Sequence, residues 1–182
     1  MNKKVEIFVI LLLFTLAFYS AVIVGSPIDE PYEMTIGKER LKYLLSFGSY
    51  TDFDFFRYEK FYPGLYNTIA IFFTKFFPHK YEIVVWHLTN TIFSIFTIFG
   101  ISKVASLLFN KQIGKIVFLL CFINPIFFGH MAMNSKDTII ALANVWFVYV
   151  SIKYLQKQSV SKNTNYYVLI AGLLLGLGTG VR

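Results

Sequence analysis

Long apolar segments alternate with short polar segments along most of the chain. The first apolar segment, "IFVILLLFTLAFYSAVIVG" at residues 7–25, carries no charge and follows Lys3 and Lys4. A helix that crosses a bilayer needs about 20 apolar residues. A signal peptide has a shorter apolar region and a small-residue cleavage site, which this segment lacks, so we predict an uncleaved membrane anchor.

Four more apolar segments follow, and together they predict about five membrane-spanning helices. The predicted spans are residues 7–25, 83–101, 113–129, 138–154 and 166–181. The third span contains Pro125, which predicts a bent or broken helix because proline removes a backbone hydrogen bond. The last span is rich in glycine, and small residues at this spacing let helices pack closely.

Residues 26–82 form a long polar and aromatic connection between the first two spans. Within it, "EMTIGKERLKYLLSF" has the periodicity of an amphipathic helix. Its predicted apolar face consists of Met34, Leu41, Leu44, Leu45 and Phe47. The segment "GLYNTIAIFFTKFF" is too short for a span and is bounded by Pro63 and Pro78, so we predict a helix in the membrane interface. The predicted fold class is all-α integral membrane, with amphipathic juxtamembrane helices in the first outer loop.

Composition and charge agree with a membrane protein. The chain is 56% hydrophobic and 15% charged, whereas soluble domains are about 45–50% apolar and roughly 25% charged. The net charge of +7 does not indicate nucleic acid binding, because the lysines cluster beside apolar spans. The amino terminus and the segments around residues 103–115 and 153–162 hold eight lysines and one acid, Glu6. Five spans place these segments on one side, so we predict that they are cytoplasmic and that residues 26–82 are extracytoplasmic.

Several ionisable residues lie where the predicted spans reach the extracytoplasmic side. They are Asp29, Glu30, His130, Lys136, Asp137 and Arg182, and they come from three different connections. Ionisable groups at a membrane are costly, and they usually face a bundle interior or a water-filled cavity. We therefore predict that helix packing brings them together in one site.

Some of these residues have a purely structural alternative. Asp29 and Glu30 can be solvated acids that end a helix, or a general base and a group that positions substrate. Asp137 suits the first turn of a helix that Asn134 or Ser135 caps.

The remaining polar residues differ in how well structure alone explains them. Lys136 is poorly explained, because a cation at a helix N-terminus is unfavourable unless it meets an anion. Arg182 can be a snorkelling end residue or a phosphate ligand, and His130 can be structural or part of the site. His87 and Asn90 share one face of the second span, which predicts hydrogen bonds between helices. The chain has no zinc-like His/Cys spacing, P-loop or G-x-S-x-G motif.

The order of these elements resembles membrane glycosyltransferases of the GT-C type, and among them the family 39-like group of protein O-mannosyltransferases and lipid A aminoarabinose transferases. "DEPYE" resembles the acidic motif of their first outer loop. "FYPGLYNTIAIFF" resembles their H-P-P-L-Y-Y-like juxtamembrane helix, with Tyr62 where histidine is common. "WHLTNTIFSIFTIFGISKVASLLF" and "NPIFFGHMAMNSKDTIIALANVWFVY" resemble the second span and the stretch ending in Lys-Asp of a bacterial subgroup, and "GLLLGLGTGVR" resembles the family's glycine-rich span.

The resemblance implies a donor sugar on a polyprenyl phosphate, in the inner membrane of a bacterium, and a hydroxyl acceptor on a protein, lipid or glycan. It implies that Asp29 is the catalytic base of an inverting transfer. It also implies that Glu30 and Asp137 orient the substrates and that Lys136 or Arg182 stabilises the leaving lipid phosphate.

His130 completes the predicted substrate-binding group. We expect no cofactor, and a divalent metal ion stays an open alternative. Because members of the group are longer, we expect residues 1–182 to be the N-terminal part of a GT-C membrane domain. The competing hypotheses are a transporter or channel subunit, whose ionisable groups usually lie near the membrane midplane, and a non-catalytic membrane scaffold.

Overall fold

The protein is a bundle of α-helices. A computed structural model describes residues 3–52, 63–158 and 164–181, and these ranges contain helices, turns and no strand. The helices are α1 (Lys3–Ile23), α2 (Glu30–Leu45), α3 (Leu65–Thr74), α4 (Glu82–Leu108), α5 (Lys111–Ile123), α6 (Pro125–His130), α7 (Asp137–Gln158) and α8 (Asn165–Thr179). A 3₁₀ turn, His79–Tyr81, leads into α4. The predicted all-α fold is confirmed for the described part of the chain.

Within the described ranges, three helices are long and apolar enough to cross a membrane. They are Lys3–Ile23, His79–Leu108 and Asp137–Gln158. The chain is therefore an integral membrane protein. The helix α8 is apolar but has only 15 residues, so the count of five spans stays a prediction.

The third predicted span is broken at the expected place. Helix α5 ends at Ile123, Asn124 has an extended backbone, and Pro125 is the first residue of α6. The side chain of Asn124 accepts a hydrogen bond of 2.9 Å from the backbone N–H of Phe127 and so caps α6. Proline suits this position because the first N–H groups of a helix need no intrahelical partner.

Helix α4 lies at the centre of the bundle and packs against α1, α3, α5 and α7. A polar stripe on α4 faces its neighbours. The amide of Asn90 and the hydroxyl of Ser94 both donate to the carbonyl oxygen of Met131, at 3.1 and 3.0 Å. Buried polar groups between membrane helices are tolerated when they are hydrogen-bonded in this way. The predicted inter-helix role of Asn90 is confirmed by the hydrogen bond of 3.3 Å that its side-chain oxygen accepts from the hydroxyl of Thr138 on α7.

Helices α2 and α3 pack against each other in the first connection. On α2, Met34 and Leu41 are buried in a cluster that also contains Tyr66 and Trp86. The helices approach closely at Gly37, where an added Cβ would lie 2.5 Å from the backbone oxygen of Asn67.

The predicted apolar face of α2 is wrong at its C-terminal end. Leu44, Leu45 and Phe47 are exposed. The helix ends at Leu45, and Phe47 lies in the following turn with φ of 52°. The helical period therefore stops before it can bring Phe47 back to the buried side.

Contacts at each end of the bundle join segments that are distant in the chain. At one end, Nζ of Lys115 lies 2.6 Å from a carboxylate oxygen of Glu6, which joins the start of α5 to the start of α1. At the other end, the backbone N–H of Leu65 donates to the carbonyl oxygen of Gly180 at 2.8 Å. That second end also carries the cavities described next.

Candidate active site

A cavity of about 360 Å³ lies between the α1–α2 connection, α2 and the α6–α7 connection. We call it the acidic cavity. Its lining includes five of the six predicted site residues, which are Asp29, Glu30, His130, Lys136 and Asp137. The predicted convergence of these residues is therefore observed, although about a hundred positions separate the two acids of the first connection from the other three residues. Arg182, the sixth residue, lies outside the described residues, as does Tyr62.

Asp29 immediately precedes α2, and its carboxylate does not cap the helix. Its carbonyl oxygen accepts from the backbone N–H of Glu33 at 3.1 Å, which begins the helix. Its side chain makes no capping hydrogen bond and is exposed. An Asp at this position usually accepts from the first N–H groups of the helix. Because Asp29 does not, helix capping does not explain this residue, and Asp29 lines the cavity.

Lys136 meets the anion that its position requires. Its Nζ lies 2.8 Å from Oε1 of Glu33 on α2. Glu33 also accepts a hydrogen bond from the hydroxyl of Ser135. This ion pair joins the two walls of the acidic cavity, and it balances the lysine at the N-terminal end of α7.

Glu33 was not among the candidate site residues. The signal for it is present in the sequence, because Asp29 and Glu33 are four positions apart and share a face if a helix begins near Glu30. The predicted amphipathic helix begins at Glu33, so Asp29 lies before it and the two residues are not placed on one helical face.

Asp137 combines a structural role with a place at the cavity. The side-chain oxygen of Asn134 accepts from the backbone N–H of Asp137 at 2.8 Å, and the amide of Asn134 donates to Oδ2 of Asp137 at 3.1 Å. Of the two predicted caps, Asn134 and Ser135, it is Asn134 that accepts from the start of the helix. The carboxylate of Asp137 is exposed and still lines the cavity.

A second cavity of about 240 Å³ adjoins the first and shares Asp29, Glu33 and Lys136 with it. It also contains Arg40 of α2. Burial lowers the pKa of the Arg40 guanidinium, because the charged form loses part of its hydration. Two cations and two carboxylates thus surround the second cavity, and the first cavity is more acidic.

A lateral groove of about 540 Å³ begins on the other side of the α6–α7 connection. It shares His130 and Asp137 with the acidic cavity. Its other walls are mostly apolar and include Cys121, Ile126 and Phe127. Cys121 is only partly buried, so its thiol reports on this groove.

Metal ligands are not grouped in the described ranges: no three His, Cys, Asp or Glu side chains are placed there to hold one ion.

The sequence model of the dolichyl-phosphate-mannose-protein mannosyltransferase family matches residues 63–182. The matched segment is well over half of the chain and contains His130, Lys136 and Asp137. Asp29 and Glu30 precede it. The searches of curated proteins and of solved structures give no match.

Proposed function

The chain belongs to the dolichyl-phosphate-mannose-protein mannosyltransferase family, and from this premise we propose that it transfers a sugar from a polyprenyl-phosphate donor to a hydroxyl acceptor. One observation carries the proposal. Acids and a cation from helix α2 and two separate connections line one cavity at one end of a membrane bundle. A group transfer that removes a proton at one centre and releases a phosphate at another needs both kinds of charge.

In the proposed reaction, Asp29 is the general base. Its uncapped carboxylate takes the proton of the acceptor hydroxyl while the hydroxyl oxygen attacks the anomeric carbon. The new C–O bond forms as the bond between that carbon and the lipid phosphate breaks, so the configuration inverts. The proton ends on Asp29 and the electron pair on the leaving phosphate. The exposure of Asp29 and its place in both cavities support this role.

Lys136 is the proposed partner of the leaving phosphate. It lines both cavities and lies within reach of Glu33, with which it pairs. A preorganised cation stabilises the charge that develops on the phosphate oxygen without costly reorganisation. His130 and Asp137 are proposed to bind hydroxyl groups of the substrates, and Arg182 stays a proposed second phosphate ligand.

The lateral groove is the proposed location of the polyprenyl chain. Its apolar walls suit an isoprenoid, and it meets the acidic cavity at His130 and Asp137. A donor lying there would present its phosphate at the cavity while its chain stays in an apolar environment. Membrane lipids and the donor then share one lateral entrance.

We place the cavity end on the extracytoplasmic side of the inner membrane, with the amino terminus cytoplasmic. The support is the distribution of lysines, because Lys-rich short segments favour the cytoplasm. The ion pair between Lys115 and Glu6 brings two of these segments to the end opposite the cavities.

The test is a transfer assay with the protein in vesicles and a polyprenyl-phosphate donor labelled in the sugar. The proposal expects label on an acceptor hydroxyl together with an equal amount of released lipid phosphate. A transporter would instead move intact donor across the bilayer, and a scaffold would do neither. Either of these outcomes overturns the proposed function.

A further inference from the structure

A buried acid and a buried imidazole lie behind the acidic cavity. Nε2 of His87 on α4 is 2.8 Å from Oε1 of Glu30. Glu30 is 2% exposed and His87 is 1% exposed, so both groups are withdrawn from water. Glu30 is the neighbour of the proposed base Asp29, and a buried group of this kind needs a reason.

The other ring nitrogen of His87 fixes the hydrogen-bond pattern. Nδ1 lies 3.2 Å from the carbonyl oxygen of Ala21 near the end of α1. A carbonyl oxygen only accepts, so Nδ1 carries a hydrogen and Nε2 faces Glu30. The contact of 2.8 Å places a buried basic group against a buried acidic group. Removing either partner would leave the other buried and uncompensated.

His87 therefore holds both ends of the connection between α1 and α2. Ala21 is near the end of α1, Glu30 is the first residue of α2, and Asp29 lies between them. Pro27 and Pro31 further restrict this backbone. One imidazole thus sets the distance between the two helix ends that carry Asp29.

The same face of α4 holds the opposite wall of the acidic cavity. Asn90, three residues beyond His87, donates to the carbonyl oxygen of Met131 at 3.1 Å, and its own oxygen lies 3.3 Å from the hydroxyl of Thr138. These contacts fix the α6–α7 connection that carries Lys136. The helix α4 therefore positions the base side and the phosphate side of the cavity relative to each other.

We propose that His87 and Glu30 are positioning residues that act as one unit, through the backbone at Asp29, to hold the base in place. The proposal rests on the proposed function of Asp29. It assigns Glu30 a part in the reaction without contact with the substrate, because its buried carboxylate is directed to His87. It also gives His87 in the second predicted span a function beyond helix association.

The kinetic test compares H87L, E30L and the double variant with the unaltered protein in the transfer assay. Misplacement of a catalytic group by about 1 Å costs roughly 100-fold in rate, so each single variant should lose about that much kcat with donor KM changed by less than about threefold. The double variant should be no worse than either single variant, because both remove the same pair. Losses that multiply would show that the two residues act independently, and a loss confined to KM would show that Glu30 contacts substrate. Either result would overturn the proposal.

Two further variants separate positioning from folding. T91V is the matched control, because Thr91 lies one turn from His87 on α4, is fully buried, and its hydroxyl has no hydrogen-bond partner in the described part of the chain. T91V should retain kcat. H87Q, whose amide can still donate toward Glu30, should recover part of the activity that H87L loses. If H87L fails to fold, H87Q still tests the proposal. A kcat of H87Q equal to that of the unaltered protein would contradict the role of the imidazole.

A measurement independent of sugar transfer checks the geometry directly. In a C121A background, cysteines replacing Pro27 and Met133 lie on the two walls of the acidic cavity. Bifunctional thiol reagents of graded length should cross-link them best at one length, and H87L should spread the yield over several lengths. This result stands even if the transferase proposal fails. An unchanged length profile in H87L would refute the positioning role.

Discussion

Replacing Lys136 with methionine separates the ion pair's contribution to stability from its contribution to catalysis. K136M removes the cation and keeps most of the apolar length of the side chain. In the proposed mechanism the leaving phosphate then loses its proposed cation, and Glu33 loses its charged partner. The contacts of Lys136 allow the expected loss of folding stability and the expected loss of kcat to be stated.

The chain contains a closely matched ion pair outside the cavities. Lys136 and Glu33 are 2.8 Å apart, with side chains 40% and 12% exposed. Lys38 and Glu82 are 2.9 Å apart, with side chains 34% and 11% exposed. Loss of such a partly screened charged hydrogen bond should cost about 1 to 2 kcal/mol of folding stability in each case. K38M and K136M should therefore melt at similar temperatures.

Catalysis should distinguish the two variants. Removing one preorganised group that stabilises a developing charge costs about 100- to 1,000-fold in kcat, and the partial exposure of Lys136 favours the lower value. The assay is release of lipid phosphate from a labelled donor, at equal amounts of folded protein. K136M should lose about 100-fold and K38M less than about threefold. Equal losses in the two variants would mean that the effect is one of stability, and a fully active K136M would remove Lys136 from the mechanism.

Three other predictions concern helix packing, the lateral groove and stability at acidic pH. G37A should destabilise the protein by about 1 to 3 kcal/mol in thermal melts, because the added Cβ would lie 2.5 Å from a backbone oxygen. The control G25A should leave stability unchanged, because no atom lies within 4 Å of its added Cβ. Maleimide labelling of Cys121 should slow about tenfold with polyprenyl phosphate at ten times its dissociation constant, because only the free fraction reacts, and no slowing would exclude the groove. Burial opposes ionisation of Glu39, but hydrogen bonds from Lys42 and a nearby tyrosine outweigh it and lower the Glu39 pKa. The folded protein therefore holds this proton less tightly, so the stabilisation is present above the ordinary pKa of 4.5 and is lost as pH falls through the lower folded value. In E39Q the melting temperature should fall less between pH 6 and pH 3 than in the unaltered protein, and an identical fall would contradict the role of Glu39.

Local chemistry explains why several features could be predicted from the sequence. The break at Pro125 follows from the missing N–H of proline, and the cap at Asn134 follows from its position before an apolar helix. The need of Lys136 for an anion follows from the helix dipole. Each of these depends on neighbours within a few positions.

Long-range partners could not be predicted in the same way. Glu33 pairs with Lys136, and Glu30 meets His87 on another helix. Helical periodicity shows which residues share one face, but it does not show which helix that face meets. In a membrane protein the hydrophobic pattern is also less informative, because apolar residues face lipid as well as the core.

Helices α8 and α2 illustrate this limit. Leu169 and Leu173 on α8 are exposed, although α8 is an apolar helix. On α2 the polar and apolar sides differ, yet the pattern still extended the apolar face too far, to Phe47. The end of a helix depends on its terminal turn, which periodicity does not describe.

The most direct test of the proposed mechanism is the turnover of D29N. Asparagine keeps the size of the side chain and cannot accept the proton, and the absence of a capping hydrogen bond at Asp29 means that folding should be unaffected. General base catalysis contributes typically 100- to 10,000-fold, so kcat should fall by about that factor while the melting temperature stays the same. A folded D29N protein that transfers sugar at the rate of the unaltered protein would show that Asp29 is not the base.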